Sequence, residues 1–349
     1  MTRTLLSRRR FAALAASLAS LGARSYAAAP DPLAFVNPEF RGALKTLLPY
    51  LKRASPQSLA ERRKMNYRRP LAPPPAPQPE TRLIRGPKDA PDVRIYILGA
   101  APGQSKPAVL HIHGGGFITG SATDNLRDNQ DLVRTQDCVV VSVDYRLAPE
   151  TPFPGALEDN YAALRWLYAN AEALGVDRAR IAVKGESAGG GHAAMLAIAA
   201  RDRGEIPLAL QVLIYPMLDD RTGSTRQLPP HIGAYGWTAA DNREGWSALL
   251  GRPVGRGAPP AGAVPARVEA LAGLPPTFIG VGSIDLFVDE DIDYARRLTQ
   301  AGVSTELFVV PGGFHGFDLM VPGASLTREF TRAWQEALKR AFASVAAPG

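Results

Sequence analysis

The sequence predicts an α/β fold, with a mostly parallel central sheet covered by helices on both faces. Three observations predict it. Short β-branched runs alternate with longer helical segments from Val93 almost to the C-terminus. Glycine-rich turns follow two of the predicted strands. The chain has 349 residues, 46% hydrophobic and 21% charged, enough for one large core. Single α/β domains often run well past ~150 residues, so length does not require two domains.

The elements follow in order. Met1–Arg10 is basic, Phe11–Leu21 is apolar and alanine-rich, and Tyr26-Ala27-Ala28-Ala29-Pro30 offers small residues for cleavage. Residues 1–29 therefore read as an export signal, and Ser7-Arg8-Arg9-Arg10-Phe11 resembles the twin-arginine pattern. The expectation is a periplasmic or secreted protein. The apolar run is too short for a bilayer, which needs ~20 residues, so no stable membrane insertion is expected. Residues 30–80 read as amphipathic helices within Gly42–Met65, followed by a proline-rich connector, Pro70–Pro77. Residues 81–349 form the predicted α/β domain. Strands are expected at Val93–Leu98, Pro107–His113, Cys138–Asp144, Arg180–Lys184, Leu208–Tyr215, Thr277–Val281 and Thr305–Val310. Helices are expected at Gly155–Ala173, Ala188–Arg201, Asp289–Ala301 and Leu326–Val345. The stretch from Pro216 to Pro276 is too long for an ordinary connection and reads as an insertion, about 217–265, with a role of its own.

The formal charge is +7, but five arginines precede the first acid, Asp31. Without them the charge is about +2, which gives no reason to expect nucleic acid as a partner. The one cysteine, Cys138, excludes an intramolecular disulfide and reads as a buried small hydrophobe.

The chemistry is concentrated in four short segments. Gly185-Glu186-Ser187-Ala188-Gly189 lies between a strand and a helix, the setting of a nucleophile elbow. Small flanking residues let backbones approach, and the helix N-terminus favours negative charge near the Ser187 hydroxyl. His113-Gly114-Gly115-Gly116-Phe117 ends an earlier strand. There the Gly114 and Gly115 amides, with that of Ala188, can hold an oxyanion unobstructed by side chains. Of five histidines only His315 follows the last strand, where it can reach the serine as general base. His192 sits too near Ser187 on its own helix, His231 lies in the insertion, and His113 braces the glycine loop. His111 and His113 have no carboxylate or cysteine cluster beside them, so no metal is expected. Asp285, one strand–helix unit before His315, is the acid that would orient it. Asp289 and Glu290 compete for that role but read as first-turn helix acids.

With these segments in view, the chain resembles the hormone-sensitive-lipase-like family of bacterial carboxylesterases, which have the α/β-hydrolase fold. The match runs from about Val93 to the closing helix. It also rests on Asp144-Tyr145-Arg146-Leu147-Ala148-Pro149-Glu150 with Phe153-Pro154, and on His315-Gly316-Phe317. The resemblance implies a triad of Ser187, Asp285 and His315, an oxyanion hole at Gly114, Gly115 and Ala188, and no cofactor. It also implies that Asp144, Arg146, Glu158 and Asp159 are scaffold. Leu286 and Val288 stand where members often have proline and arginine, and Glu186 replaces the aspartate common before the serine.

The expected activity is hydrolysis of short-to-medium-chain carboxylic esters through an acyl-enzyme. The N-terminal helices and the insertion would form a helical cap, with Phe117 and Trp237 as candidate substrate contacts. An amidase or peptidase on the same triad is the alternative. A non-catalytic binding member, as among the related plant hormone receptors, is a further one, although His315 is retained. The partner is a small-molecule ester; a homodimer is left open.

Overall fold

Alternation of apolar strands and helices produces one eight-stranded sheet in the computed structural model, which describes residues 32–53, 58–64, 71–255 and 257–344. The expected export signal lies outside these residues. The described residues from Phe35 onward form one compact unit. The strands are β1 (Glu80–Ile84), β2 (Val93–Leu98), β3 (Lys106–Ile112), β4 (Val139–Asp144), β5 (Val176–Glu186), β6 (Leu210–Ile214), β7 (Thr277–Gly282) and β8 (Thr305–Val310). Their order in the sheet is β1-β2-β4-β3-β5-β6-β7-β8. The β1–β2 and β2–β4 pairs are antiparallel and all others parallel. The central strands are buried on both faces, which is why they read as mainly apolar runs rather than as an alternating pattern.

Ten α-helices lie among the described residues, besides three short 3-10 turns: α1 (Pro38–Arg53), α2 (Leu59–Arg62), α3 (Leu126–Gln136), α4 (Gly155–Ala169), α5 (Ala171–Leu174), α6 (Ala188–Arg203), α7 (Ala239–Leu250), α8 (Val288–Gln300), α9 (Phe317–Met320) and α10 (Ser325–Ser344). Helices α4 and α6 pack on each other and on the sheet, while α3 and α10 meet each other against it. Helix α8 lies on β7 and β8. No described helix is long and apolar enough to cross a membrane.

Most expected elements are present with ends moved by a few residues. The helix expected at Gly155–Ala173 divides at Asn170, whose side chain bonds back to Trp166 O at 2.8 Å. The nucleophile strand runs longer at both ends than Arg180–Lys184. Two elements were not expected between the leader and the elbow. Edge strand β1 has exposed residues at four of its five positions, so it lacks an apolar signal. Helix α3 buries Asn129 and Gln130 as well as Leu126, Leu132 and Val133, so its apolar stripe is broken. The Gln130 amide bonds the connector at Ala72 and Pro77.

The insertion contains one α-helix, α7, whose bounds the sequence reading did not give. It begins with a reciprocal capping box between Thr238 and Asp241 and ends at Gly251 in the left-handed region. Arg62 of α2 pairs with Asp241 and Glu244 of α7, and Arg63 bonds Ile118 O, Ala148 O and Glu150. Helix α2 is thus tied to the insertion and to the segment just after the glycine loop.

Candidate active site

Three side chains from separate parts of the chain meet above the C-terminal ends of the parallel strands. Ser187 follows β5, Asp285 follows β7, and His315 follows β8. The His315 Nδ1–H donates to Asp285 Oδ2 at 2.9 Å, and its Nε2 accepts from the Ser187 hydroxyl at 2.9 Å. The second Asp285 oxygen accepts the Phe287 N–H at 3.0 Å, which fixes the carboxylate plane. Ser187 and His315 are 8% and 9% exposed, while Asp285 is fully buried. The acid is therefore sealed from water, while Ser187 and His315 keep a little exposed surface.

The elbow depends on its small residues. Ser187 sits at φ +56°, a conformation a side-chain-bearing residue adopts only under constraint. Bonds from Ser187 N to Ile214 O and from Met217 N to Ser187 O hold it there. A side chain at Gly185 would collide with the Gly189 backbone, and one at Gly189 with the carbonyls of Ile112 and His113. The start of α6 can therefore press directly onto the end of β3.

That contact brings the glycine loop to the serine. A Cβ at Gly114 would lie 2.9 Å from Glu186 O and 3.5 Å from Ser187 Cβ. The loop closes on itself through Ile118 N and Thr119 N, both donating to Gly115 O. Among the described residues, the Gly114 and Gly115 amides take no part in that closure. Ala188 opens α6, where its N–H points out of the helix start. Gly114 thus lies against Ser187, Gly115 follows it in the loop, and Ala188 follows Ser187 at the start of α6.

The other histidines occupy different places. His113 donates from Nδ1 to Gly114 O at 2.8 Å and stacks on Tyr145, with centroids 4.2 Å apart. His192 packs edge-on against Phe117 and Tyr145. Burial pushes His113 down to about 4 and His192 to about 3, so both are neutral at pH 7. His231 stacks on Phe35 at 4.1 Å. Of the two rival acids, Asp289 is exposed. Glu290 is buried and accepts from Leu218 N and Asp219 N. Arg146 forms a forked pair with Asp159, and Arg203 pairs with Glu158.

Phe117 and Trp237 flank the loop differently. Phe117 is 1% exposed and its ring turns under the loop, against His192 and Trp246. Trp237 lies against Gly116 so closely that a Cβ there would enter the indole. Its Nε1–H reaches Asn242 Oδ1 at 3.4 Å, and Asn242 donates to Thr222 O at 2.8 Å. Gly236 runs against the backbone of His315, and Gly245 of α7 meets Gly116 O.

Sequence reading did not single out the polar network behind the elbow. His111 Nε2–H donates to Glu186 Oε2 at 3.0 Å. Asn129 Nδ2 lies 3.3 Å from His111 Nδ1. Ser142 lies 2.8 Å from the same Nδ1. Lys184 pairs with Glu186 and sits 4.9 Å from the centre of the Trp334 ring. Burial alone would raise the Glu186 carboxyl, but Lys184 and His111 outweigh it and hold the group well below the ordinary range. Alternate residues of β3 and β5 carry these polar groups, a pattern masked by their apolar neighbours. Among the described residues no group of acids, histidines and cysteine could hold a metal ion.

Comparison with known proteins gives the family and the fold. Residues 109–319 match a family model described as the alpha/beta hydrolase fold. Carboxylesterase NlhH of Mycobacterium tuberculosis is 39% identical over 294 residues, covering 78% of this chain and 87% of the relative. Ethyl acetate hydrolase of Pseudomonas putida is 36% identical, covering 68% and 70%. The solved structure of esterase LipW from Mycobacterium marinum superposes with a TM-score of 0.73 at 34% identity, covering 90% and 98%. The chain belongs to the α/β-hydrolase-fold family, in its hormone-sensitive-lipase-like branch of carboxylic ester hydrolases.

Proposed function

We propose that this chain hydrolyses short-to-medium-chain carboxylic esters through Ser187, His315 and Asp285. One observation carries the reading: an unbroken line of hydrogen bonds from the Ser187 hydroxyl through His315 to buried Asp285, both steps 2.9 Å.

Ser187 Oγ attacks the ester carbonyl carbon while its proton passes to His315 Nε2. The carbonyl π pair moves to oxygen, and the Gly114, Gly115 and Ala188 amides stabilise that charge. Collapse of the tetrahedral intermediate expels the alkoxide, which takes the proton from His315. Water then repeats the sequence on the acyl-enzyme, releasing the acid and restoring Ser187. Asp285 keeps Nδ1 protonated throughout and stabilises the transient imidazolium.

The helices α1 and α2 with the insertion around α7 act as a cap. Trp237, pinned by Asn242 on the glycine loop, walls the acyl side and limits chain length; Phe117 supports that loop from below. The name of the Pseudomonas putida relative, an ethyl acetate hydrolase, supports a small-ester preference.

Ser187→Ala should lower ester hydrolysis by at least about 10³-fold with circular dichroism and melting unchanged. Wild-type-like turnover in that variant would refute the assignment. Trp237→Ala should move the optimum of a nitrophenyl ester series toward longer acyl chains. An unchanged series would remove Trp237 from the acyl wall.

A further inference from the structure

Tyr215 and Asp318 stand beside the histidine of the proposed triad and take no part in the steps above. Tyr215 follows β6. Its backbone is at φ +34°, a conformation rare for a side-chain-bearing residue, and its N–H donates to Gly280 O at 2.6 Å. The ring is 1% exposed and meets the His315 imidazole edge to face, with centroids 4.7 Å apart at 65°. Its hydroxyl donates to Asp318 Oδ1 at 2.8 Å. Asp318 is the second residue of α9, three positions after His315. Tyr215 thus spans from the imidazole ring to the helix that continues the histidine loop, and closes that loop on itself.

Mere filling of space would need the ring and not the hydroxyl. The charges around the pair are also arranged. Glu186 and Lys184 of β5 face Asp318, and Asp285 and Glu186 face Tyr215. Lys184 pairs with Glu186, so ionised Asp318 adds a negative charge on the histidine loop. Burial pushes the Asp318 carboxyl up to about 6, with Glu186 adding to the rise, so this charge appears as pH approaches neutrality.

We propose that Tyr215 and Asp318 are a positioning pair for His315, holding its imidazole toward Ser187 and, with Asp318 ionised, favouring the imidazolium formed during acyl transfer. The proposal rests on His315 acting as the general base. It makes the acid limb of the rate profile depend on two ionisations, His315 and Asp318. Both must lose a proton for full activity.

The test is kcat and KM for a nitrophenyl ester against pH, in wild type, Asp318→Asn, Tyr215→Phe and the double variant. Melting curves confirm that each is folded. The expected wild-type acid limb has a slope approaching two protons, and Asp318→Asn reduces it to one. Both single variants lower kcat roughly 10- to 100-fold with little change in KM, and the double variant is no worse than either. A one-proton limb in wild type, unchanged kcat, or an unchanged limb in Asp318→Asn overturns the proposal. Ser187→Ala measured alongside separates the two readings. If it is inactive while the Tyr215 and Asp318 variants behave as wild type, only the positioning pair fails. If it stays active, the triad itself fails.

Discussion

Ser187 is held by its neighbours in a conformation it would not choose alone. At φ +56° its hydroxyl stands clear of the turn, and glycines at 185 and 189 give the surrounding backbone room. Gly189→Ala should therefore cost about 2–4 kcal/mol, because the added methyl meets the Ile112 and His113 carbonyls rather than a yielding side chain. Urea denaturation would measure it, and a loss below about 0.5 kcal/mol would contradict the close approach. His113 and His192 make a second residue-scale prediction. Their folded values, about 4 and about 3, lie below the ordinary 6.5. The unfolded chain therefore binds more protons between roughly pH 6.5 and 3, and stability falls as pH falls through that window. Each histidine accounts for a loss on the order of 3 kcal/mol when fully titrated. His192→Leu should flatten the decline of melting temperature between pH 7 and 4; an equally steep decline would show that His192 is not kept neutral. Ser187, Asp285 and His315 were legible because each follows a predicted strand, and chain order leaves few rivals. Tyr215 and Asp318 were not, since 103 positions separate them and neither belongs to a local motif.

At the scale of elements, legibility followed the apolar pattern. The central strands β3 to β7 read clearly because most of their residues are buried and apolar, with single polar residues such as His111, Ser142 and Gln211 set among them. Helix α3 did not, because Asn129 and Gln130 occupy its buried side to bond His111 and the proline-rich connector. Strand β1 has a polar surface, and its place comes from pairing with β2, which no local signal announces. Helix α7 did carry a local signal, the Thr238 and Asp241 capping box with Gly251 beyond the end. Its apolar residues are too sparse before Trp246 for periodicity to reveal it. Thr238→Ala should cost about 1 kcal/mol through loss of that cap. Because Trp237 directly precedes it, the variant should also broaden acyl-chain preference. Unaltered stability and preference together would separate the start of α7 from the indole it adjoins.

For the whole molecule, the sheet serves as a gauge block. Parallel strands β5, β7 and β8 end at one edge, so groups far apart in sequence meet there, with the glycine loop after β3 on the other side of the serine. Each contributes a fixed backbone position, with Asp285 fully buried and the glycine loop at Gly114 and Gly115 partly exposed. The central claim is that Ser187 is the atom donor to the acyl group. The most direct measurement is reaction of the intact chain with a nitrophenyl phosphonate, an analogue of the tetrahedral intermediate, followed by peptide mass mapping. The account predicts one adduct, on the peptide containing Ser187, forming in step with loss of esterase activity and absent from Ser187→Ala. Loss of activity with the adduct on another residue, or full labelling of Ser187 with hydrolysis undiminished, would contradict it.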